Sequence, residues 1–373
     1  MYSTMGIVLT GGKNNRLKEL SLERSIAAVP IGGKYRIIDF ILSNMVNSGI
    51  TNIGVITQYN YRSLMDHLGS GKEWDLDRKN DGLFILPPYL SEFGTGWYKG
   101  TADSMYNNLT FLQRSDEEYV IIGQGYAIYN MDYKPMLEYH IQTGADITIA
   151  CRDMSDISPE DHKLLGMVEL NDENRIIDFM EKSLNPKTSI GSIGVYIIRR
   201  DFLIELLQES ASKGLTDFVY DIIVRQTNKL KIYAYMFSGY WRPLNSIQLY
   251  YRTNMELLNP KVRQELLMDR RKIFTKVKDE PPAKYNEEAN VHNSIVADGC
   301  IIEGTVEDSV LFRGVRVMKG VVIKNSLVMQ GTTVEKNVQL NYCILDKGVT
   351  ITEGKSLNGD AEWPLIVGKN VKV

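Results

Sequence analysis

The sequence predicts a two-part protein, with a Rossmann-like α/β domain that has a mostly parallel sheet and, after it, a parallel β-helix. Three observations support this fold class. Short apolar strands alternate with helical patterns as far as about residue 255. A charged stretch that ends at Pro281-Pro282 follows. Beyond about residue 290 the helical periodicity disappears, and aliphatic residues recur at a spacing of six.

Residues 1–258 are predicted to form the α/β domain, because strands and helices alternate along them. Alternation of this kind favours a mostly parallel sheet with helices on both faces. The segments with the strand signal are GIVLT (6–10), NIGVIT (52–57), YVIIG (119–123), DITIAC (146–151) and GSIGVYII (191–198).

The remaining two segments are a predicted linker, 259–290, and a predicted β-helix domain, 291–373. The linker is charged and ends at the Pro-Pro break. In the β-helix segment a period of six with one aliphatic residue per repeat is typical of hexapeptide coils, whose aliphatic side chains stack inside. An irregular all-β sandwich is the alternative, and the phase drifts outside 322–340. The aliphatic residues in phase are Val322, Val328, Val334 and Leu340.

Composition narrows the functional class. The 373 residues are 43% hydrophobic and 24% charged, which is ordinary for a globular protein with a large core. A net charge of −3 argues against nucleic acid or an anionic membrane as a partner. The three cysteines and four histidines lack metal-ligand spacing. No signal peptide and no run of 18 apolar residues is present, so a cytoplasmic location is expected.

Two loops that follow predicted strands are candidate phosphate sites. In LTGGKNNRLKEL, Gly11 and Gly12 would let backbone N–H groups approach a phosphate, and Lys13 and Arg16 could neutralise it. A plain tight turn is the alternative. In FMEKSLNP, Lys182 could hold a sugar phosphate, although a lone lysine is usually solvated.

Two further segments bear on the chemistry. In GWYKGTADSMYNNL a helical pattern follows Gly100, and Thr101 or Asp103 can cap that helix. The segment YVIIGQGYAIYNMDY places a loop after a strand, where α/β enzymes carry out chemistry, but no acid appears in it before Asp132.

Seven segments in order resemble bacterial glucose-1-phosphate adenylyltransferases (ADP-glucose pyrophosphorylases) over nearly the whole chain. They are TGGKNNRLKEL, GGKYRIIDFILSN, IGVITQY, GSGKEWDLDRK, YKGTADSMYNN, IIDFMEK and PPAKY. The resemblance implies a nucleotidyltransferase domain joined to a left-handed β-helix, and synthesis of ADP-glucose from ATP and glucose 1-phosphate for glycogen. It implies that Lys182 holds the sugar phosphate and that the nucleotide-binding positions are Gly11, Gly12, Arg16, Gln58, Gly100 and Thr101.

The chain departs from this family around the reaction centre. The resemblance places Tyr126 and Pro243 at the two aspartates that bind the catalytic magnesium, and Ala127 at a histidine. Phenol and proline cannot replace hard carboxylate ligands for Mg²⁺. Asn14, Asn15 and Ile26 also differ from the family pattern. The chain is therefore similar to the non-catalytic GlgD-type regulatory subunit, with no catalytic residue and no metal ligand, and Asp132 is interpreted as a helix cap.

The resulting hypothesis is a regulatory subunit in a heterotetramer with a catalytic subunit. It has no cofactor of its own, Mg²⁺ is expected on the catalytic partner, and a small-molecule effector is a further expected ligand. One alternative is an active enzyme that recruits Mg²⁺ through Asp132 or Asp217. A second is a stand-alone sugar-phosphate or nucleotide sensor. A third, an acyltransferase that uses the β-helix, would need a histidine base, and the β-helix segment offers His292 for it.

Overall fold

The computed structural model describes residues 3–11, 17–89 and 96–373, and its N-terminal part is an α/β domain. The five strands predicted from the sequence are all present, each within two residues of its predicted limits. The strands of this domain are β1 (Thr4–Leu9), β2 (Pro30–Ile31), β3 (Tyr35–Arg36), β4 (Asn52–Ile56), β5 (Gly82–Leu86), β6 (Tyr119–Gln124), β7 (Ala127–Tyr129), β8 (Ile147–Asp153), β9 (Gly166–Leu170), β10 (Ile176–Glu181), β11 (Ile190–Arg199), β12 (Ile232–Met236) and β13 (Trp241–Pro243).

The main sheet runs in the order β10-β9-β11-β6-β1-β4-β5, and β8 with β12 branches from β11. Strands β6, β1, β4 and β5 are parallel to one another. Strand β11 is antiparallel to β6, β8 and β9, whereas β12 is parallel to β8, so the sheet is mixed. The carboxyl ends of β1, β4 and β6 meet at one edge, which is where open α/β sheets bind ligands.

Helices cover the sheet, and short 3₁₀ turns lie at Lys18–Ser21, Ile26–Ala28 and Lys72–Trp74. None of the helices in the described part of the chain is long and apolar enough to cross a bilayer. The helices are α1 (Ile37–Asn47), α2 (Arg62–Leu68), α3 (Thr101–Tyr106), α4 (Leu109–Gln113), α5 (Lys134–Thr143), α6 (Pro159–His162), α7 (Arg200–Ser212), α8 (Ile247–Glu256) and α9 (Pro260–Leu267), with a π-helical turn at Phe218–Val224.

Helix α1 is buried along most of its length and is held at both ends. At its start the Asp39 carboxylate accepts the backbone N–H of Arg36 at 2.9 Å and contacts His67 Nε2 at 2.5 Å. Near its end the Asn44 side chain donates to the carbonyl of Tyr129 at 3.0 Å and accepts the N–H of Met131 at 3.2 Å. These bonds fix α1 to α2 at one end and to the end of β7 at the other.

The C-terminal part is a left-handed parallel β-helix with three parallel sheets, one for each side of the coil. Each turn of the coil contributes one strand to each sheet. The first sheet contains β14 (Lys284–Tyr285), β17 (Ile301–Ile302), β20 (Arg316–Val317), β23 (Thr333–Val334) and β26 (Thr350–Ile351). The second contains β15 (Asn290–His292), β18 (Thr305–Glu307), β21 (Val322–Lys324), β24 (Gln339–Asn341) and β27 (Ser356–Asn358). The third contains β16 (Ile295–Val296), β19 (Val310–Leu311), β22 (Leu327–Val328), β25 (Cys343–Leu345) and β28 (Leu365–Val367).

The period of six predicted which aliphatic side chains lie inside the coil. This is correct for Val328, Val334 and Leu340, which are buried, and wrong for Val322, which is partly exposed. Ile323 is fully buried in its place. The reason is the length of the coil, because strands of the first sheet begin at residues 284, 301, 316, 333 and 350. These steps of 15 or 17 residues are shorter than three hexapeptides, so a strict period of six slips within a few turns.

The two domains share a hydrophobic core. Leu244 and Tyr250 of the first domain pack in one buried cluster with Phe312 and Ile344 of the β-helix. The segment 259–290, predicted as a linker, contains α9, an extended stretch and β14. The predicted limits of the domains and the linker stay predictions.

A buried ion pair joins the same two domains. Arg24 Nη2 lies 2.9 and 2.6 Å from the two carboxylate oxygens of Asp346, and both side chains are at most 4% exposed. Because an uncompensated charge is costly inside a protein, this pair ties the position of the β-helix to that of the first domain.

Candidate functional site

The nucleotide-binding positions that the sequence suggested begin at the carboxyl edge of the sheet. Gly11 follows β1, and a Cβ on it would lie 3.7 Å from the Cβ of Gln58, which follows β4. Gln58 is buried, and its Nε2 donates to the carbonyl of Tyr98 at 3.2 Å. The structure therefore brings Gly11 and Gln58 together. Gly12 and Arg16 lie outside the described residues.

Gly100 and Thr101 lie at the start of α3, where the chain packs against residues 216–218. A Cβ on Gly100 would stand 2.4 Å from the carbonyl oxygen of Thr216, so the close approach of two backbones requires a glycine. Thr101 Oγ1 accepts the N–H of Phe218 at 2.8 Å. The N-cap of α3 is Gly100, so neither Thr101 nor Asp103 holds that position, and the Asp103 carboxylate in the first turn accepts the N–H of Lys99 at 2.8 Å. A structural role thus accounts for both Gly100 and Thr101.

A cavity of about 250 Å³ lies at the ends of β6, β10 and β11, and we call it the sheet-edge cavity. Lys182 lines it with Glu181, and their side chains form an ion pair with an N–O distance of 2.9 Å. Lys182 follows β10 in a left-handed conformation, with φ of 52°, and its side chain is 56% exposed. Polar side chains that line the cavity are Gln124, Tyr126, Ser192, Tyr196 and Asn245.

Burial and the nearby charge of Glu181 both act on the phenol of Tyr196 in this cavity. Burial is the larger cause, and together they raise the pKa of Tyr196 well above its ordinary value. Tyr196 therefore stays neutral and can act as a hydrogen-bond donor. Ser192 Oγ accepts the N–H of Gly194 at 3.1 Å. The cavity combines one ammonium, one carboxylate and several neutral donors, a set suited to a sugar phosphate.

The two residues that the sequence resemblance assigned to metal-binding positions, Tyr126 and Pro243, are close together in the structure. Strand β7 pairs with β13, and in this ladder Ala127 lies opposite Pro243. The carbonyl of Tyr126 accepts the N–H of Leu244 at 2.8 Å. Tyr126 and Pro243 are thus close in the backbone ladder, and of the two Tyr126 lines the sheet-edge cavity. Tyr126 and Pro243 are more than a hundred positions apart in the sequence. The motifs assigned both to one site, and the fold brings their backbones close together.

A divalent cation does not fit the side chains at this point. Pro243 has no donor atom on its side chain, and Tyr126 offers a phenol where Mg²⁺ prefers carboxylate oxygens. In the described ranges no three His, Cys, Asp or Glu side chains come together as a metal site. The nearest acid of the cavity, Glu181, is occupied by Lys182.

The two acids proposed as substitute metal ligands have other partners. Asp132 Oδ1 accepts the N–H of Lys134 at 3.0 Å just before α5, whose N-cap is Tyr133. Asp217 Oδ1 accepts the N–H of Tyr220 at 2.8 Å, and its Oδ2 lies 3.3 Å from Thr101 Oγ1. Neither of them lines the sheet-edge cavity.

A second cavity, of about 160 Å³, lies where the two domains meet, and we call it the interdomain pocket. Of the described residues that line it, one is an acid, Asp66, and six are cations: Lys34, Arg36, Lys276, Lys278, Arg313 and Lys347. Sequence reasoning missed this pocket. The cations are spread from residue 34 to residue 347, and only the packing of the β-helix on the first domain brings them together.

The cations of the interdomain pocket destabilise one another's charge. Burial, with repulsion from Arg313 and Arg36, lowers the pKa of Lys278. Burial, with repulsion from Arg36 and Arg24, lowers the pKa of Lys347 to about 7. Among the described residues, Arg24 Nη1 and Arg313 Nε are buried without a hydrogen-bond acceptor. A small anion would relieve this repulsion and supply an acceptor to Arg313, the one of these two that lines the pocket.

Known families match both parts of the chain. The family described as nucleotidyl transferase matches residues 5–260. The family described as GlmU-like, C-terminal hexapeptide, matches residues 281–363. The first match lies on the α/β domain and the second on the β-helix.

Curated relatives with the printed name glucose-1-phosphate adenylyltransferase match most of the chain. The protein of Fervidobacterium nodosum is 42% identical over 327 residues, which cover 87% of this chain and 78% of that relative. The protein of Geobacillus stearothermophilus is 40% identical over 323 residues, which cover 86% of this chain and 83% of that relative. The protein of Thermotoga maritima is 39% identical over 328 residues, with 87% and 77% covered.

Proposed function

The chain belongs to the glucose-1-phosphate adenylyltransferase family, and we propose that it is a catalytically deficient subunit that regulates a catalytic homologue. The homologue would convert ATP and glucose 1-phosphate into ADP-glucose and pyrophosphate, a step toward glycogen. The observation that carries this proposal is the pair of adjacent residues Tyr126 and Pro243 at the family's two metal positions.

The loss of these carboxylates removes the group that neutralises the transferring phosphates. Nucleotidyl transfer needs positioning and electrostatic stabilisation, and metal ions contribute several kcal/mol of the latter. Since each ~1.4 kcal/mol is a factor of ten in rate, the expected loss is on the order of 10³ or more. In this proposal Mg²⁺ acts on the partner subunit, and this chain has no cofactor of its own.

The surroundings of the lost carboxylates argue against the alternative of an active enzyme with a rearranged metal site. Asp132 and Asp217 cap backbone N–H groups away from the sheet-edge cavity, and Glu181 is paired with Lys182. A metal would have to break one of these interactions to gain a single carboxylate. No group at Pro243 could supply the second.

The retained polar lining supports ligand binding without chemistry. Lys182 and Tyr196 remain beside Gln124 and Ser192 in the sheet-edge cavity. We expect weak binding of glucose 1-phosphate there, and calorimetry with glucose 1-phosphate, ATP and ADP-glucose measures it. Absence of heat and of thermal shift at millimolar ligand would count against residual binding.

The interdomain pocket supports the regulatory part of the proposal. A small anionic effector would bridge the β-helix at Arg313 and Lys347 to the first domain at Lys34 and Arg36. An effector changes the partner's behaviour only if the assembly's two states bind it with different free energies. A typical coupling of ~1–3 kcal/mol corresponds to roughly a 5–150-fold change in partner affinity for substrate or activator.

The experiment that tests the proposal compares the pure chain with a catalytic homologue from the same cell, separately and mixed. The pure chain is expected to synthesise ADP-glucose at a rate on the order of 10³-fold or more below the homologue. On mixing, the two should sediment as one species, with altered kinetic constants.

Two results would contradict the proposal in different ways. Turnover by the pure chain within tenfold of the homologue would show an active enzyme. Independent sedimentation with unchanged kinetics would instead support a stand-alone sensor of sugar phosphates or nucleotides.

A further inference from the structure

Two residues that line the sheet-edge cavity each carry a buried polar atom without a hydrogen-bond partner among the described residues. The atoms are Oδ1 of Asn245, an acceptor, and Nε1 of Trp241, a donor. Asn245 is 3% exposed and Trp241 is 2% exposed, so bulk water does not solvate them. The two atoms do not bond to each other either. Because a buried polar group without a partner destabilises a fold, both atoms require an explanation.

The backbone is fixed on both sides of Asn245. Before it, the N–H of Leu244 donates to the carbonyl of Tyr126 at 2.8 Å. After it, Ser246 is the N-cap of α8, and its Oγ accepts the N–H of Leu249 at 3.1 Å. A movement of the backbone that took Asn245 out of the cavity lining would strain these bonds. The fold therefore keeps Asn245 in the lining at a cost in stability.

Trp241 is fixed by the strand β13. In the ladder of β13 with β7 it lies opposite Tyr129, and its carbonyl accepts Nη1 of Arg152 at 3.1 Å. One held segment of the chain thus gives the cavity an unpaired donor and, four residues later, an unpaired acceptor.

A hydroxyl group meets both needs, because its O–H donates and its oxygen accepts. An ionised phosphate ester only accepts hydrogen bonds, so it could pair with the ammonium of Lys182 but not with Oδ1 of Asn245. The lining as a whole therefore matches a ligand that carries a phosphate and also a hydroxyl.

We propose that Asn245 is a specificity-determining residue of the sheet-edge cavity, because its Oδ1 accepts a hydrogen bond from one hydroxyl of a sugar phosphate, with the indole N–H of Trp241 as the complementary donor. The inference rests on the proposed function, in which glucose 1-phosphate binds in this cavity without chemistry. It adds a residue that recognises the sugar and not the phosphate. The acceptor that weakens the free fold becomes paired in the complex.

The test measures by calorimetry the affinity of the full chain for glucose 1-phosphate and for analogues in which one hydroxyl at a time is replaced by fluorine. Fluorine cannot donate a hydrogen bond to Asn245. We expect one of the analogues to bind about tenfold more weakly than glucose 1-phosphate, as the loss of one buried hydrogen bond predicts. Equal affinity for glucose 1-phosphate and every analogue would overturn the inference without any variant.

The variant Asn245→Leu, of similar size but without the acceptor, identifies the group. It should bind glucose 1-phosphate about tenfold more weakly, with no further loss for the weak analogue. Its Tm should equal or exceed that of the unmodified chain, because the unpaired polar atom is gone. A residue with a purely structural role would lower the Tm instead. Asn228→Leu, at an exposed position outside the cavity lining, is the control and should leave the affinity unchanged.

Asn245→Ala gives a second measurement of the same loss, since it adds no atoms that could clash. Unchanged affinity for glucose 1-phosphate in both variants, or the same penalty for the weak analogue in the variants and the unmodified chain, would overturn the inference and leave residual binding intact. Absence of glucose 1-phosphate binding by the unmodified chain at millimolar ligand would overturn both the inference and residual binding. The assay for ADP-glucose synthesis tests the catalytic deficiency separately.

Discussion

The sheet-edge cavity and the interdomain pocket of this chain differ in where charge is left uncompensated. In the sheet-edge cavity the ammonium of Lys182 is paired with Glu181, and a phenol and a proline stand where the family places carboxylates. In the interdomain pocket six cations face one acid among the described lining residues. The described lining of the sheet-edge cavity thus has one acid, Glu181, which is paired with Lys182. A cavity with excess positive charge is prepared for an anion. The contrast supports the proposal that the chain acts through an anion bound at the junction of its domains.

The largest expected effect is a loss of unfolding free energy when the ion pair between the two domains is broken. Asp346→Asn leaves Arg24 buried beside a neutral amide, and removal of one partner of a buried ion pair typically costs about 3–5 kcal/mol. Chemical denaturation should show this loss of unfolding free energy. The control is the double variant Arg24→Met with Asp346→Leu, which removes both charges and should recover most of the stability. Equal stability of Asp346→Asn and the unmodified chain would show that the pair does not hold the domains.

The second prediction is that two added carboxylates give the chain Mg²⁺-dependent activity. Tyr126→Asp with Pro243→Asp restores two adjacent carboxylates, so Mg²⁺-dependent ADP-glucose synthesis should appear. We expect a rate about 100-fold above that of the matched Tyr126→Asn, Pro243→Asn variant, which corresponds to ~2.7 kcal/mol of the metal's contribution. A steady-state assay with and without Mg²⁺ measures this. Equal rates for the two variants would mean that the lost carboxylates are not what separates this cavity from a catalytic one.

The third prediction is that sulfate affinity depends on a cation of the interdomain pocket and not on the lysine of the sheet-edge cavity. Arg313→Gln removes a cation from the interdomain pocket, and hydrogen bonds to charged groups contribute about 1.5–3 kcal/mol. Sulfate affinity, measured by calorimetry at pH 7, should therefore fall about tenfold or more. Lys182→Gln is the matched change in the sheet-edge cavity and should leave this affinity unchanged. A similar loss in both variants would show that sulfate does not select the interdomain pocket.

The smallest expected effect is the loss of one uncharged hydrogen bond between the two domains. Tyr251 on α8 donates its hydroxyl to the carbonyl of Asn325 in the β-helix at 2.7 Å. Tyr251→Phe should cost about 1 kcal/mol of unfolding free energy, the net contribution of an ordinary hydrogen bond. Tyr220→Phe, at a side chain that is 56% exposed, is the control and should be neutral. A loss comparable to that of Asp346→Asn would place the main attachment of the domains at Tyr251 instead.

The sequence predicted residues of the sheet-edge cavity but none of the interdomain pocket as a site. The motifs that resemble a known family assigned roles to Lys182 and Tyr126, and both line the sheet-edge cavity, whereas Pro243 is not in its described lining. The periodicity that predicted the strands is also local, and it gave strands such as β1 and β11 without the direction in which β11 runs. The interdomain pocket depends on the docking of two domains, and no local pattern links Lys34 to Lys347.

Helix α1 connects the two cavities mechanically. Its first residues lie beside Arg36 and the interdomain pocket, and its Asn44 holds the backbone at the end of β7, the strand that begins at Ala127. An eleven-residue helix is about 16 Å long and cannot be compressed without breaking its own hydrogen bonds. It therefore fixes the distance between Arg36 and the backbone at the end of β7. One helix thus gives the residues beside the interdomain pocket and the strand that begins at Ala127 a common rigid support.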